Sequence, residues 1–375
     1  MIWRVLMVGL VAALCVPAAW AQTLVPVVPG GAFYEEKLLS FDRSSPIGEI
    51  ELVPRHTVVG YSPDALDGYG AIHLTCRSDS DANQGRCPTS DTSANGAGTT
   101  KVALRFTERR SGMRTEIYAV GSVDRAFSDR RCYRDQWNNV DRPISTSFGP
   151  TCIGEPPSGT GFHLYVPDVE LAKLVAGRWD ADLVLDVRVL SHGPAVASFS
   201  FKLDLTITDH NAAAIYLPEF GHATPTVGLN LRYDPFAHTI GGSKQVDVCL
   251  YDGLGSQSQY LGLTVRDTSG HASGPTGFSV WHDDGGTDAR RRLDYTLTLN
   301  HAGARVPLVN GHEHQLRNID SVPLRLVMLP GMTYPVYCVP TPITFETPLV
   351  PSTSKDAGHY GGSLHVELRV PTSSP

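Results

Sequence analysis

The chain has 375 residues, long for one β-sandwich, and at ~100 to 200 residues per domain it points to two domains. It carries 38 acidic against 31 basic residues and a formal charge of −7, so no overall basic field would draw it to nucleic acid or an anionic membrane. Its 36 glycines and 27 prolines favour turn-rich β structure. Met1 to Ala21 has Arg4 near the start, an apolar run from Val5 to Val16 and the small-residue site Ala19-Trp-Ala21, the pattern of a cleaved secretory signal. That run is short for a membrane span of ~20 residues.

After the signal, Gln22 to Gly31 is apolar but holds Pro26 and Pro29, which suits an edge strand or an extended arm. Strands are expected at Ile47–Val53, Ala71–Cys76, Val102–Thr107, Thr115–Val120, Phe162–Val166, Leu183–Leu190 and Phe199–Ile207; the last two alternate most cleanly and are joined by a hairpin through Ser191-His-Gly-Pro194. The polar stretch from Asp79 to Thr100 reads as an exposed loop tethered by Cys87. One helix is expected over Val169–Ala176, capped by Asp168 and ended by Gly177, with Leu171, Leu174 and Val175 as its buried stripe. Between Asp209 and Pro225 the pattern breaks, which places a domain junction there.

Beyond the junction, strands are expected at Val246–Tyr251, Leu261–Val265, Phe278–Trp281, Leu293–Leu299, Val322–Leu329, Val336–Val339, Ile343–Phe345 and Leu364–Val370. Val322, Leu324, Leu326 and Met328 alternate as one buried face would, and so do Leu364, Val366, Leu368 and Val370. The fold class is all-β: two immunoglobulin-like sandwiches in tandem, residues 22–215 and 216–375.

Loss of the signal removes Cys15 and leaves six cysteines, an even number that favours disulfides in a secreted protein. Six cysteines allow 15 pairings. Sequence order suggests Cys76 with Cys87, Cys132 with Cys152, and Cys249 with Cys338.

Ten basic residues face six acidic ones between Lys101 and Arg142, with Tyr133 and Trp137 interleaved. Guanidinium forks bind carboxylates and aromatic faces stack on sugars, so Arg130, Arg131 and Arg134 are candidates for an acidic glycan. The competing reading is a solvated face whose arginines pair with Glu108, Glu116, Asp124, Asp129 and Asp135. Trp281-His-Asp-Asp-Gly-Gly-Thr-Asp288 lacks the spacing of a calcium loop, and His312 with His314 sits in polar surroundings, so both read as surface turns and no metal or cofactor is expected. Neither G-x-S-x-G nor H-E-x-x-H occurs, so the enzyme reading has no positive motif.

Lys355, Ala357, Gly358, Tyr360, Gly362 and Leu364 match the closing signature of the CblD-like pilus initiators and fimbrial tip adhesins of the alternate chaperone-usher pathway, which the chain resembles. Val227-Gly-Leu-Asn-Leu-Arg232, Val246-Asp-Val-Cys-Leu-Tyr-Asp-Gly253, Leu329-Pro-Gly-Met and Pro335-Val-Tyr-Cys-Val-Pro-Thr-Pro342 fit that family in the same order. The resemblance implies an N-terminal adhesin domain and a C-terminal pilin-type sandwich lacking one strand, filled first by a periplasmic chaperone and then by the N-terminal strand of the next pilin. It implies export through an outer-membrane usher, display at the fimbrial tip, the major pilin as partner, and a host receptor bound through arginines of the N-terminal domain. Arg188 lies in the corresponding region. Val246, Val248, Leu250, Leu364, Val366, Leu368 and Val370 are the candidate groove residues. Two alternatives stand beside this reading: an initiator or cap without receptor binding, and a secreted carbohydrate-active enzyme.

Overall fold

The computed structural model describes residues 24–272 and 274–371, so the signal peptide expected at residues 1–21 lies outside the described residues. The first half contains β1 (Gly31–Asp42), β2 (Ile50–Tyr61), β3 (His73–Cys76), β4 (Thr100–Glu108), β5 (Arg114–Ala126), β6 (Arg142–Pro143), β7 (Gly159–Val166), β8 (Gly177–Arg188) and β9 (Ala197–Thr208). They form one sheet in the order β1-β9-β8-β4-β5-β7-β2, with β3 on β8 and β6 on β5. Leu52, Leu104, Phe106, Ile117, Phe162, Leu164, Trp179, Leu185 and Leu203 turn inward from six strands into one apolar core. The β8–β9 hairpin is antiparallel as expected.

The sequence conceals β1, which lies parallel to β9 at the sheet edge. Its core-facing row begins with Phe33, whose ring lies 5.2 Å from that of Phe199, but continues with Glu35 and Lys37, which pair with each other at 2.5 Å, before Leu39 and Phe41 turn apolar again. Residue Val27 of the expected arm makes an isolated bridge to Tyr61. The helix is shorter than expected: α1 covers Asp168–Leu171, its N-cap is Pro167 rather than Asp168, and the extended run of β8 begins at Gly177. Leu171, Leu174 and Val175 are nevertheless buried. Among the described residues no helix is long and apolar enough to cross a membrane.

The second half contains β10 (Ala214–Tyr216), β11 (Leu231–Asp234), β12 (Thr239–Val246), β13 (Cys249–Tyr251), β14 (Tyr260–Asp267), β15 (Phe278–His282), β16 (Arg292–His301), β17 (Ala304–Pro307), β18 (Glu313–Arg317), β19 (Arg325–Val327), β20 (Val336–Pro340), β21 (Ile343–Pro351), β22 (Tyr360–Gly361) and β23 (Leu364–Arg369). One sheet runs β11-β12-β21-β16-β15-β22, with β17 on β16; a second runs β18-β14-β23; a third, beside the first half, runs β10-β13-β20-β19. Their inward faces share a core of Val246, Leu263, Phe278, Tyr295, Leu297 and Leu316. The strand expected over Val322–Leu329 shrinks to β19, an edge strand, so Leu326 and Met328 are exposed instead of completing the buried face with Val322.

The two halves meet through backbone as well as side chains. The Arg110 guanidinium donates to the carbonyls of Ile319 (3.3 Å) and Val322 (2.5 Å), and the Asp209 amide donates to Gly253 O at 2.7 Å. Gly255, at φ 68°, lies so close that a Cβ there would stand 2.6 Å from Gly177 Cα, so no larger residue fits. The first core continues through Cys249, Tyr251, Leu329, Val336 and Cys338 of the second half. Cys76–Cys87, Cys132–Cys152 and Cys249–Cys338 all form, with Cα separations of 5.3, 5.9 and 5.6 Å. These spacings suit unforced bridges.

Candidate functional site

The last strand has a free edge. β23 pairs with β14, Leu364 opposite Asp267 and Arg369 opposite Gly262, and among the described residues it has no partner on its other side. Leu364, Val366, Leu368 and Val370 face the second core but are only half-buried. Such a row would be fully covered if another strand completed the sheet. Val227 and Leu229, on a segment without sheet partners, are half-buried against the same core. Val246, Val248 and Leu250 differ from the β23 row: they are fully buried, so they form the floor beneath it rather than an accessible wall.

A second candidate site lies at the opposite end of the molecule. The start of β8 and the β4–β5 turn stand beside the second half, because Thr107 pairs with Asp180 while Arg110 reaches Ile319 and Val322. The end of β8, the start of β4 and the end of β5 therefore lie far from it. Arg188, which closes β8, and Arg130, Arg131 and Arg134, which follow β5, share this distal end.

Their surroundings differ. Arg188 Nε donates to Thr75 Oγ1 at 3.2 Å and Nη1 donates to Gly193 O at 2.6 Å. Arg77, just past β3, is held by Asp186 at 3.2 Å, and Asp186 also faces Arg188 Nη2 at 3.9 Å. The structure thus brings Arg77 and Arg188 around one carboxylate, with the Arg77 side chain about half exposed. Arg131 is exposed and grips Asp129 at 2.5 Å, while Arg130 is exposed just before Cys132 and Arg134 is exposed within the loop closed by Cys132–Cys152. The carboxylate that Arg131 holds is thus a different one from the Asp186 shared by Arg77 and Arg188.

Much of the basic stretch is structural. Arg109 bridges Asp180 and Asp204, and Arg105 meets Asp81. Of the expected acidic partners, Asp129 takes Arg131, whereas Glu116 takes Arg86 and Asp124 takes His56. Trp137 offers no free face for a sugar: it is buried, and His56 stacks on it at 4.4 Å between centroids. Tyr133 packs against Phe127.

Arg125 is fully buried and fastens the distal turn by donating to the carbonyls of Phe148 (3.0 Å), Ile72 (2.8 Å) and Thr146 (2.6 Å) and to Thr160 Oγ1 (2.6 Å). Burial, with Arg142 nearby, pushes its pKa down to about 9, so it still carries its charge at neutral pH.

Asp91 ties the long polar loop to the same end. It accepts from the Ser147 amide at 3.0 Å, the Ser147 hydroxyl, the Ser191 hydroxyl at 2.5 Å and the Ser93 amide at 2.8 Å. Burial would raise this carboxyl, but the hydrogen bonds from Ser147, Ser191 and Ser93 outweigh it and hold it well below the ordinary 3.8. Asp91→Asn is expected to cost about 2 kcal/mol at pH 7. Because the folded pKa is depressed, that advantage is present above 3.8 and is lost as pH falls through the folded value. Urea midpoints of the two proteins should therefore converge in acid; equal midpoints at pH 7 would refute the role.

The turn after Trp281 closes on itself, with Arg291 held between Asp284 and Asp288 and His282 against Asp284. His314 Nε2 accepts from the Val309 amide at 3.0 Å, and the His312 ring stands edge-on to His314.

The models of two consecutive domains match this arrangement: the first domain of the CFA/I fimbrial subunit CfaE over residues 21–210 and its second domain over residues 213–372. The chain belongs to the CfaE family. The curated CfaE fimbrial subunit of CFA/I from Escherichia coli is 29% identical over 308 residues, 80% of each chain. The crystal structure of CfaE, the adhesive subunit of CFA/I fimbria of enterotoxigenic Escherichia coli, superposes with a TM-score of 0.69 at 24% identity, covering 94% of this chain and 95% of that one. A structure of a chaperone–tip adhesin complex of CFA/I fimbriae biogenesis gives 0.68 at 24% identity, over 94% of this chain and 99% of its own. These two likenesses establish the two-domain fold. In this CfaE-family chain the expected junction at 215/216 falls inside β10, which pairs with β13 of the second half.

Proposed function

We propose that this chain is the tip adhesin of a bacterial fimbria, exported through the periplasm and displayed at the cell surface. Its second domain accepts a donor strand, and its first domain meets the host receptor. The free edge of β23 above a half-buried apolar row carries the reading of the second domain. A periplasmic chaperone covers that row first, and the N-terminal strand of the next pilin replaces it at the outer-membrane usher, with backbone pairing giving affinity and the apolar positions giving specificity. The first domain occupies the other end, so the protein accepts a strand without donating one and stands at the tip. No cofactor, metal or catalytic residue enters this function, and the chain acts as a binding protein rather than an enzyme.

For the receptor, Arg77 and Arg188 are the better-placed pair: the β3–β8 pairing sets them on either side of Asp186 at the distal end. An acidic glycan, whose carboxylate two guanidinium groups can clasp, fits them. Arg77→Ala with Arg188→Lys is expected to weaken binding to receptor-bearing cells by at least about tenfold, since lysine keeps the charge but loses the fork. Normal binding by that variant, with loss on Arg130→Ala, Arg131→Ala and Arg134→Ala together, would move the site to the arginines around Cys132. Normal binding by both would place the receptor site on other residues, and absence of binding by the wild-type protein would favour an initiator without a receptor.

A further inference from the structure

We infer that the β11–β12 hairpin and the end of β21 form a second docking surface, which seats the folded body of the pilin whose N-terminal strand fills the groove. The inference rests on the strand-acceptor reading above. Four large apolar side chains are exposed here: Leu231 (41%), Tyr233 (53%), Phe236 (96%) and Leu349 (73%). The hairpin is held in place. Asp234 Oδ1 accepts from the amides of Phe236 (2.8 Å) and Ala237 (3.1 Å), and the Tyr233 hydroxyl meets His238 Nδ1 at 2.8 Å. Ser352 N donates to His238 O at 2.8 Å, which fastens the turn to the end of β21. Leu349 stands at the same end of the domain but on the hairpin's other face, since a Cβ on Gly241, which pairs with Arg232, would lie 2.8 Å from its Cδ2. Apolar side chains fixed in this way on a surface mark an interaction site.

Position selects the occupant. β12 leads away from the hairpin to Val246, and β13 then ends at Tyr251, beside Gly253, which bonds Asp209 of the first domain. The hairpin therefore stands at the end of the second domain away from the first. The β23 row runs along the same axis: β14 starts after the junction segment, and its antiparallel register puts Arg369 toward the first domain and Leu364 toward the hairpin end. The first domain closes one end of the groove. A protein whose strand lies in the groove has room for its folded body only at the other end, where Phe236 and its neighbours stand. Burying them would add apolar contact that an isolated strand cannot make.

The test compares two probes on the mature protein: a peptide of the N-terminal strand of the pilin encoded beside this chain, and that pilin with its own groove closed by a fused strand and its N-terminal strand free. The wild-type protein is expected to release the whole pilin about tenfold more slowly than the peptide. Phe236→Ser with Leu349→Ser should abolish that difference and leave peptide release unchanged. Equal release of pilin and peptide by the wild type would overturn the inference, as would a double variant that still holds the pilin longer. Loss of peptide binding in the variant would make these residues part of the groove and overturn it too, and a defect confined to the chaperone complex would assign the surface to the chaperone instead. If the wild-type protein binds neither probe, the strand-acceptor reading falls and takes this inference with it.

Discussion

A saturating peptide from the N-terminal strand of the partner pilin is expected to raise the melting temperature of the second domain by on the order of 10 °C, and Val366→Asp to abolish that rise. A ligand present at a thousandfold its dissociation constant stabilises the folded state by about 4 kcal/mol, and each kcal/mol moves the midpoint of a domain this size by about 2–4 °C. Val366 pairs with Val265 in the middle of β23 and faces the second core while half-buried. An aspartate there puts a carboxylate beneath the incoming strand, and burying it without a partner costs more than the strand's backbone pairing at that position returns. Because the side chain stays half-exposed until the groove is filled, the uncomplemented variant should fold and melt within a few degrees of the wild type. That separates loss of complementation from loss of fold. A variant that still gains the full shift would show that the donor strand lies elsewhere, and a wild-type protein that gains none would mean that the second sandwich needs no added strand.

The parts of this architecture legible in the sequence are those whose burial is one-sided and local. β8 and β9 alternate without interruption, and their hairpin and register follow. β23 is equally plain, and so is the cysteine pairing by order along the chain. What stays hidden depends on distant partners. The inner row of β1 runs Phe33, Glu35, Lys37, Leu39 and Phe41, and Glu35 and Lys37, which neutralise each other, interrupt in its middle the apolar alternation that announces a strand. Val322 to Met328 has the alternation but lies at a sheet edge with nothing over Leu326 and Met328. Arg77 lies outside the basic stretch and becomes a neighbour of Arg188 only because β3, more than a hundred residues earlier, pairs with β8. Arg125 looks in sequence like its surface neighbours, and only the fold surrounds it with carbonyl acceptors.

Replacing Cys249 and Cys338 by alanine is expected to be the most damaging of the disulfide losses and to loosen the junction as well as the second domain. On the chain-entropy account a bridge spanning 89 residues restricts the unfolded ensemble by about 4 to 5 kcal/mol, against about 3 kcal/mol for those spanning 11 and 20. Position adds to length. Cys249 lies on β13 and Cys338 on β20, and both sulfurs sit in the apolar cluster that runs from Trp179 of the first domain through Tyr251 and Val336 of the second. The Asp209 amide reaches Gly253 immediately after β13, and Arg110 reaches the segment that leads into β19. Freed from β20, β13 would keep only its pairing with the three residues of β10. The two domains would then lose their shared core on one side, and calorimetry should show the second domain melting in a separate, earlier transition. Removing Cys76–Cys87 should instead lower one transition without splitting it. A Cys249→Ala, Cys338→Ala protein that unfolds in one step at the wild-type temperature would show that the junction holds without the bridge.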